Sequence, residues 1–288
     1  MKTLKDVLQD VQRDHVAIGH FNFSDLVAFK AVCLSARELN LPVMVGVSEG
    51  ERAFVGVHQA AALVRSVREE FGQTIFLNAD HTHSLAKAEE VARAGFDEII
   101  FDGSGLPLEE NIVQTKQAVE TVKSINPAIL VEGEVGWIGA SSEILEKAPE
   151  GVGVLTTPEE AAQFVAATKV DVLAPAVGNM HGLLQSMVHG QAEKRLDIKR
   201  IAEIKTAASV FMTLHGGSGT HDEDFQQAIR AGMNIVHVNT ELRFAWRGGM
   251  ERALQAQPGE VAPYKILPPV VQDVSEVVKR RLRLFSFR

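Results

Sequence analysis

Short runs of apolar residues recur along the chain. Each closes on a polar cluster and is followed by a stretch whose apolar positions repeat at helical spacing. The runs are Val16–Gly19, Leu41–Val47, Thr74–Leu77, Glu98–Phe101, Ala128–Val135, Val170–Val177, Val210–Leu214 and Ile235–Val238. A short apolar run bounded by turn residues reads as a buried strand. Capping residues and periodicity predict helices over Thr3–Arg13, from Ser24 or Asp25 to Asn40, from the Ser48-Glu49-Gly50 tip through Phe71, over Leu85–Ala94 and over Leu108–Val122. Further helices are predicted from Pro158, over Ile198–Ala207 and over Asp222–Ala231, with a closing pair over Leu242–Gln255 and Val270–Phe285. Gly136–Gly153 lacks periodicity and reads as one long loop, and a second irregular insertion runs to Leu196. Long loops in compact domains are usually functional lids or mobile segments.

Strand and helix alternating eight times within 288 residues predict a (β/α)8 barrel. The expectation is one domain over residues 1–288, with an N-terminal helix and a C-terminal helical extension. A doubly wound open sheet is the alternative, weakened because no glycine-rich dinucleotide fingerprint follows the first run. Polar residues are expected at the strand tips and apolar residues in the strand interiors.

Composition narrows the class. With 45% hydrophobic and 23% charged residues the chain reads as an ordinary globular protein, neither disordered nor a coiled coil. The formal net charge of −8 argues against a general nucleic-acid binder, which needs a basic face. Cys33, the only cysteine, falls in a helical pattern and is expected inside. Without a disulfide framework a reducing compartment is expected. No apolar run is long enough to predict a membrane span, and the mixed-charge start is not a signal peptide. A cytoplasmic location is the resulting expectation.

The predicted tips carry Asn22, Ser48, Asp80 with His81, Asp102, Glu132 with Glu134, His181, His215, and Asn239 with Thr240. In a barrel they converge on one face, where such folds keep their chemistry. Imidazoles from the third, sixth and seventh strands could hold a metal with one coordination position left open. Asp80, beside His81, could move a proton, or it could merely cap the next helix. Gly216-Gly217-Ser218-Gly219 after the seventh strand, with Asn239-Thr240 after the eighth, suits a phosphate, although a glycine run can also be a tight turn. His15, His58, His189 and His221 are expected to be solvated or capping. His20 is expected to be structural and His83 to start a helix.

The order of these segments resembles the class II, metal-dependent ketose-bisphosphate aldolases. The likeness spans nearly the whole chain: Phe21-Asn22, Gly46-Val47-Ser48-Glu49-Gly50, Asp80-His81, Phe101-Asp102-Gly103-Ser104, Glu132-Gly133-Glu134-Val135-Gly136, Gly178-Asn179-Met180-His181-Gly182, His215 to Gly219, and Asn239-Thr240-Glu241-Leu242. The resemblance implies cleavage of fructose 1,6-bisphosphate to dihydroxyacetone phosphate and glyceraldehyde 3-phosphate, with tagatose 1,6-bisphosphate or another ketose phosphate as alternative. It implies Zn2+ on His81, His181 and His215, with Glu134 at an alternative metal position; a monovalent cation is a further candidate. It gives Asp80 the proton at the aldehyde oxygen. Gly182, Gly216, Ser218 and Thr240 match residues holding the dihydroxyacetone phosphate half, and Asn22 and Ser48 match those near the other half. A homodimer or homotetramer is expected, with a sugar bisphosphate as the small-molecule partner and neither nucleic acid nor membrane.

The chain departs from the family pattern twice. Where members carry Gly-Gly-x-Glu on the mobile loop, it reads Gly139-Ala140-Ser141-Ser142-Glu143, which makes Glu143 the candidate for proton transfer at carbon. At the eighth tip it reads His237-Val238-Asn239-Thr240, so either Asn239 binds substrate from a shifted register or His237 takes that part. A Schiff-base aldolase would need a lysine at a tip, and none of the predicted tips offers one. A non-catalytic sugar-phosphate-binding relative is the remaining alternative. Lys279-Arg280-Arg281 could serve a helix face, a subunit contact or a second phosphate.

Overall fold

Thr3 and Asp6 cap one another's backbone and start helix α1 (Leu4–Asp14), whose apolar stripe is Leu4, Val7, Leu8 and Val11. That stripe forms one cluster with Ile18, Met44, Phe76, Leu130, Val172 and Ile235. These six residues lie at or near the starts of six strands, so α1 closes the N-terminal end of a cylinder. The computed structural model describes residues 2–139, 144–147, 150–189 and 191–288. The cylinder strands are β1 (Ile18–Asn22), β2 (Val43–Val47), β3 (Ile75–Thr82), β4 (Glu98–Phe101), β5 (Leu130–Val135), β6 (Val172–Pro175), β7 (Phe211–Leu214) and β8 (Ile235–Val238). All pair in parallel, in the closed order β1-β8-β7-β6-β5-β4-β3-β2. This is the predicted (β/α)8 barrel.

Strand side chains alternate between two faces, and the sequence uses the alternation strictly. One set, including Phe21, Val43, Val45, Ile75, Leu77, Val131, Leu173, Leu214 and Val236, joins the apolar cluster shared with the surrounding helices. The other set turns inward and starts apolar at the α1 end. Higher up it carries His20, Asn78, Glu98, Glu132, Thr213 and His237, all buried. The expectation of apolar strand interiors is therefore wrong for the inward face. Its polar groups sit just below the mouth and pair with one another, as in Asn78 Nδ2 to Glu98 Oε2 at 2.7 Å.

The surrounding helices are α2 (Leu26–Leu39), α3 (Glu49–Val55), α4 (Val57–Phe71), α5 (Leu85–Ala94), α6 (Leu108–Ile125), α7 (Pro158–Thr168), α8 (Ile198–Ala208), α9 (Asp222–Arg230), α10 (Thr240–Ala256) and α11 (Pro268–Phe285). The single helix expected up to Phe71 is two, because Gly56 takes φ +94° between α3 and α4. The stretch read as one long loop carries the two-residue strand Ile144–Leu145, which pairs with Leu183–Leu184 in the second insertion. Pairing of these two segments ties the loop after β5 to the loop after β6. Cys33 is buried, as expected, and no described helix is long and apolar enough to cross a membrane.

Candidate active site

Asp80 and His81 are neighbours in β3, so plain alternation would turn one of them away from the mouth. The pairing of β3 with β4 shifts register between Ala79 and Thr82, and His81 takes φ +41°. This bulge turns both side chains into the same cavity. A left-handed conformation costs a non-glycine residue roughly 1–2 kcal/mol. Arg52, buried on α3, holds the kinked segment by donating to the Asp80 carbonyl at 3.2 Å, to Thr82 Oγ1 at 3.1 Å and to the Val47 carbonyl at 2.6 Å.

Ligand atoms of His81, Glu134, His181 and His215 all lie within 4.8 Å of one another. Glu134 comes from the end of β5, His181 from the turn after β6 and His215 from the residue after β7. Asn179 joins two of these turns, since its side chain accepts from Val177 N at 2.8 Å and donates to the His215 carbonyl at 3.0 Å. The His81 Nδ1 lies 2.8 Å from Asp102 Oδ2, and the His215 Nε2 lies 2.5 Å from Glu132 Oε1. Among the described residues, His181 Nε2, His215 Nδ1 and Glu134 Oε2 are buried without a hydrogen-bond partner. Buried polar atoms rarely stay unpaired. Three orphaned acceptors and an imidazole converging within one coordination sphere fit a divalent cation with nitrogen and oxygen ligands.

The electrostatics agree with that fit. Burial depresses the His81 pKa, yet Asp80, Asp102 and Glu134 outweigh it and raise His81 to about 10. Burial, His81 and His215 keep His181 well below its ordinary value, and burial takes His215 down to about 3. Burial first, then the charge of Asp102, raises Glu134 well above the carboxylate range. Clustered carboxylates thus force a positive charge onto His81, a charge that a bound cation would supply instead.

Asp80 is buried and accepts from Asn22 Nδ2 at 2.7 Å; the same amide donates to Glu51 Oε2 at 2.7 Å. Burial would raise the Asp80 pKa, but His81, His20 and His215 hold it below the usual range, so it is ionised. Its Oδ1 stands 3.6 Å from His81 Nε2 and 3.8 Å from His237 Nδ1. The His237 ring stacks on His20 at 3.5 Å and lies 4.1 Å from the His215 ring.

One cavity of about 340 Å³ is lined by Asn22, Ser48, Asp80, His81, His181, Gly182, Gly216, Ser218, His237, Asn239 and Thr240, together with His83, Asp102 and Arg243. Of the described residues the sequence placed in the site, Glu132, Glu134, His215, Gly217 and Gly219 do not line this wall; Glu134 and His215 join it through the ligand cluster. Glu143 lies outside the described residues. His237 and Asn239 both line the cavity. At Gly216 a Cβ would meet the Met180 carbonyl oxygen at 2.4 Å, and the residue takes φ +60°; the glycine is required by the close approach of two loops. Arg281 is buried between Glu241 and Asp222, Arg280 reaches Glu241, and Lys279 reaches Glu38. These three cations are engaged in ion pairs within the chain.

Several groups escaped the sequence reading. His20, expected to be structural, is buried in β1 and stacks on His237 behind the cavity wall. Arg52 braces the bulge, and Arg243, paired with Glu51 at 3.0 Å, brings a guanidinium to the cavity. Both sit on helices, where one cation looks like any other in sequence. Lys194 comes from an irregular insertion and gives no periodic signal.

Comparison with known proteins fits this geometry. The sequence model described as fructose-bisphosphate aldolase class-II matches residues 2–288. Fructose-bisphosphate aldolase of Staphylococcus aureus strain Mu50 is 30% identical over 287 residues, covering 99% of this chain and 96% of that protein. The crystal structure of the YdjI aldolase from Escherichia coli K12 superposes with a TM-score of 0.82 at 26% identity, over 98% of this chain and 96% of the other. Fructose-bisphosphate aldolase from Campylobacter jejuni shares the fold, with a TM-score of 0.80 at 17% identity over 98% and 93% of the two chains.

Proposed function

This chain belongs to the class II fructose-bisphosphate aldolase family, and from that premise we propose that it cleaves and forms fructose 1,6-bisphosphate in a metal-dependent aldol reaction. The meeting of His81, Glu134, His181 and His215 within 4.8 Å at the mouth of the barrel is the observation that carries the reading. The three imidazoles, with Glu134 in reach, would hold a divalent ion, zinc in our reading, which would supply Lewis-acid polarisation of the ketone.

The protein's own groups do the rest. Asp80 is ionised and takes the proton from the C4 hydroxyl as the C3–C4 bond breaks, leaving the aldehyde; in condensation it returns that proton. Asn22 orients the Asp80 carboxylate through Oδ2 and leaves Oδ1 toward the imidazoles. Gly182, Gly216, Ser218, Asn239 and Thr240 take the dihydroxyacetone phosphate half, while Asn22, Ser48 and Arg243 face the other half. Glu143, which follows β5 in the sequence, is our candidate for the proton at the carbon that joins in condensation.

His237 on the cavity wall favours keeping a second ketose, tagatose 1,6-bisphosphate, as the alternative substrate. Both sugars should be assayed side by side after dialysis against a chelator. We expect cleavage to vanish, zinc to restore it and borohydride with substrate to leave it intact. Full turnover by the metal-free protein overturns the reading.

A further inference from the structure

Lys194 is 4% exposed, yet its four hydrogen-bond acceptors are all backbone carbonyls. Nζ lies 2.6 Å from the Met180 oxygen, 2.7 Å from Gly182, 2.9 Å from Gly216 and 2.6 Å from Ser218. The first two carbonyls flank His181 in the turn after β6, and the other two follow His215 in the loop after β7. The Lys194 backbone is stitched to the same loop, donating to the Gly219 carbonyl at 2.8 Å and accepting from His221 N at 3.3 Å.

An ammonium has three donors. Four carbonyls at these distances oversubscribe it, so at least one is held by charge rather than by its own hydrogen bond. Carbonyl dipoles converging on a compact, dehydrated charge are the means by which backbone holds a monovalent ion. Burial draws the Lys194 pKa down to about 7, and Glu241 acts in the opposite direction. The carbonyls also favour the ammonium, since a neutral amine would turn its lone pair toward one of them.

We propose that Lys194 fills, with a tethered charge, a backbone cage that would otherwise take a free monovalent cation, and so fixes the two loops that carry His181 and the Gly216–Ser218 segment. Lys194 is a positioning residue, reaching the cavity only through the peptides it gathers. A free monovalent cation, a candidate on family resemblance, does not fit while the ammonium stands there. The consequence for turnover rests on the aldolase reading; the cage itself does not.

The test compares wild type with Lys194→Ala in choline, sodium, potassium and ammonium chlorides at equal ionic strength, reading melting temperature and the kinetics of cleavage. Wild type should be indifferent to the cation in both. Lys194→Ala should melt several degrees lower in choline with a raised KM, and potassium or ammonium should restore both along a saturable curve. Activation of wild type by potassium, or a Lys194→Ala defect that no cation repairs, overturns the proposal. Should Lys194→Ala fail to fold in choline, expression and refolding in potassium against choline gives the same discrimination, and Lys194→Gln provides a second uncharged variant. If wild type cleaves neither sugar, the melting curves still decide the cage while the functional reading falls alone.

Discussion

The Glu132 carboxylate lies 2.5 Å from Nε2 of His215, and neither side chain touches solvent. Burial raises Glu132 to about 8 and lowers His215 to about 3, so an isolated charge on either is costly. With Nε2 engaged and Thr213 donating to the other carboxylate oxygen at 2.7 Å, the imidazole is fixed in orientation with Nδ1 left for a ligand. A carboxylate behind a ligating histidine sets its tautomer and basicity.

Glu132→Gln keeps the shape and an acceptor while removing the ionisable group. Metal affinity should fall by about 10–100-fold, with cooperative melting retained. Competition against a chelator of known affinity measures it. Unchanged affinity would reduce the pair to a packing role.

Metal loading should release protons at neutral pH. His81, raised to about 10, is protonated in the metal-free protein and must lose that proton to become a ligand; Glu134, raised above the carboxylate range, must also be ionised. Affinity therefore strengthens as pH rises from neutral toward about 10. Calorimetric titration in buffers of different ionisation enthalpy counts the protons. Net uptake would contradict the assignment of His81.

Asp80→Ala should keep the metal and lose cleavage by about 100–10,000-fold, the range expected for a positioned acid–base group. Asn22→Ala, which removes the amide shared by Asp80 and Glu51, should give a smaller loss in kcat with normal metal content. Steady-state kinetics with metal analysis separates the two. Normal turnover in Asp80→Ala would exclude its role at the aldehyde oxygen.

A Cβ at Gly46 would lie 2.3 Å from the His20 ring, which is itself stacked on His237. The backbone has little room to retreat, because β2 is paired with both β1 and β3. Gly46→Ala should cost about 1–3 kcal/mol through overpacking, read from denaturant melts. Because His20 must move and carry His237 with it, KM should rise as well.

The short apolar runs and the helical stretches between them predicted alternating strand and helix, since burying eight apolar strands beneath helices depends on local pattern; closure into a barrel, against an open sheet, came from the strand pairing. The same pattern put Asp80, His81, His181 and His215 at tips of one face. It also hid something: the parity that makes Phe21 and Val45 outward makes His20, Glu132 and His237 inward, and a residue's face can be read only once register is known. Gly56, breaking the α3–α4 segment, was in view but reads as tolerable within a helix until its φ is seen.

By itself, then, the sequence determined the repeating architecture, the histidines and carboxylates of the predicted strand tips and the family, because these follow from periodicity and from the order of motifs. Only the tertiary structure decided that β3 kinks to bring Asp80 and His81 to one side, that Glu132 stands behind His215, and that Lys194 gathers four carbonyls. Each of those depends on groups distant in the chain meeting within hydrogen-bond range. Such distances are set by closure of the barrel, and no local spacing encodes them.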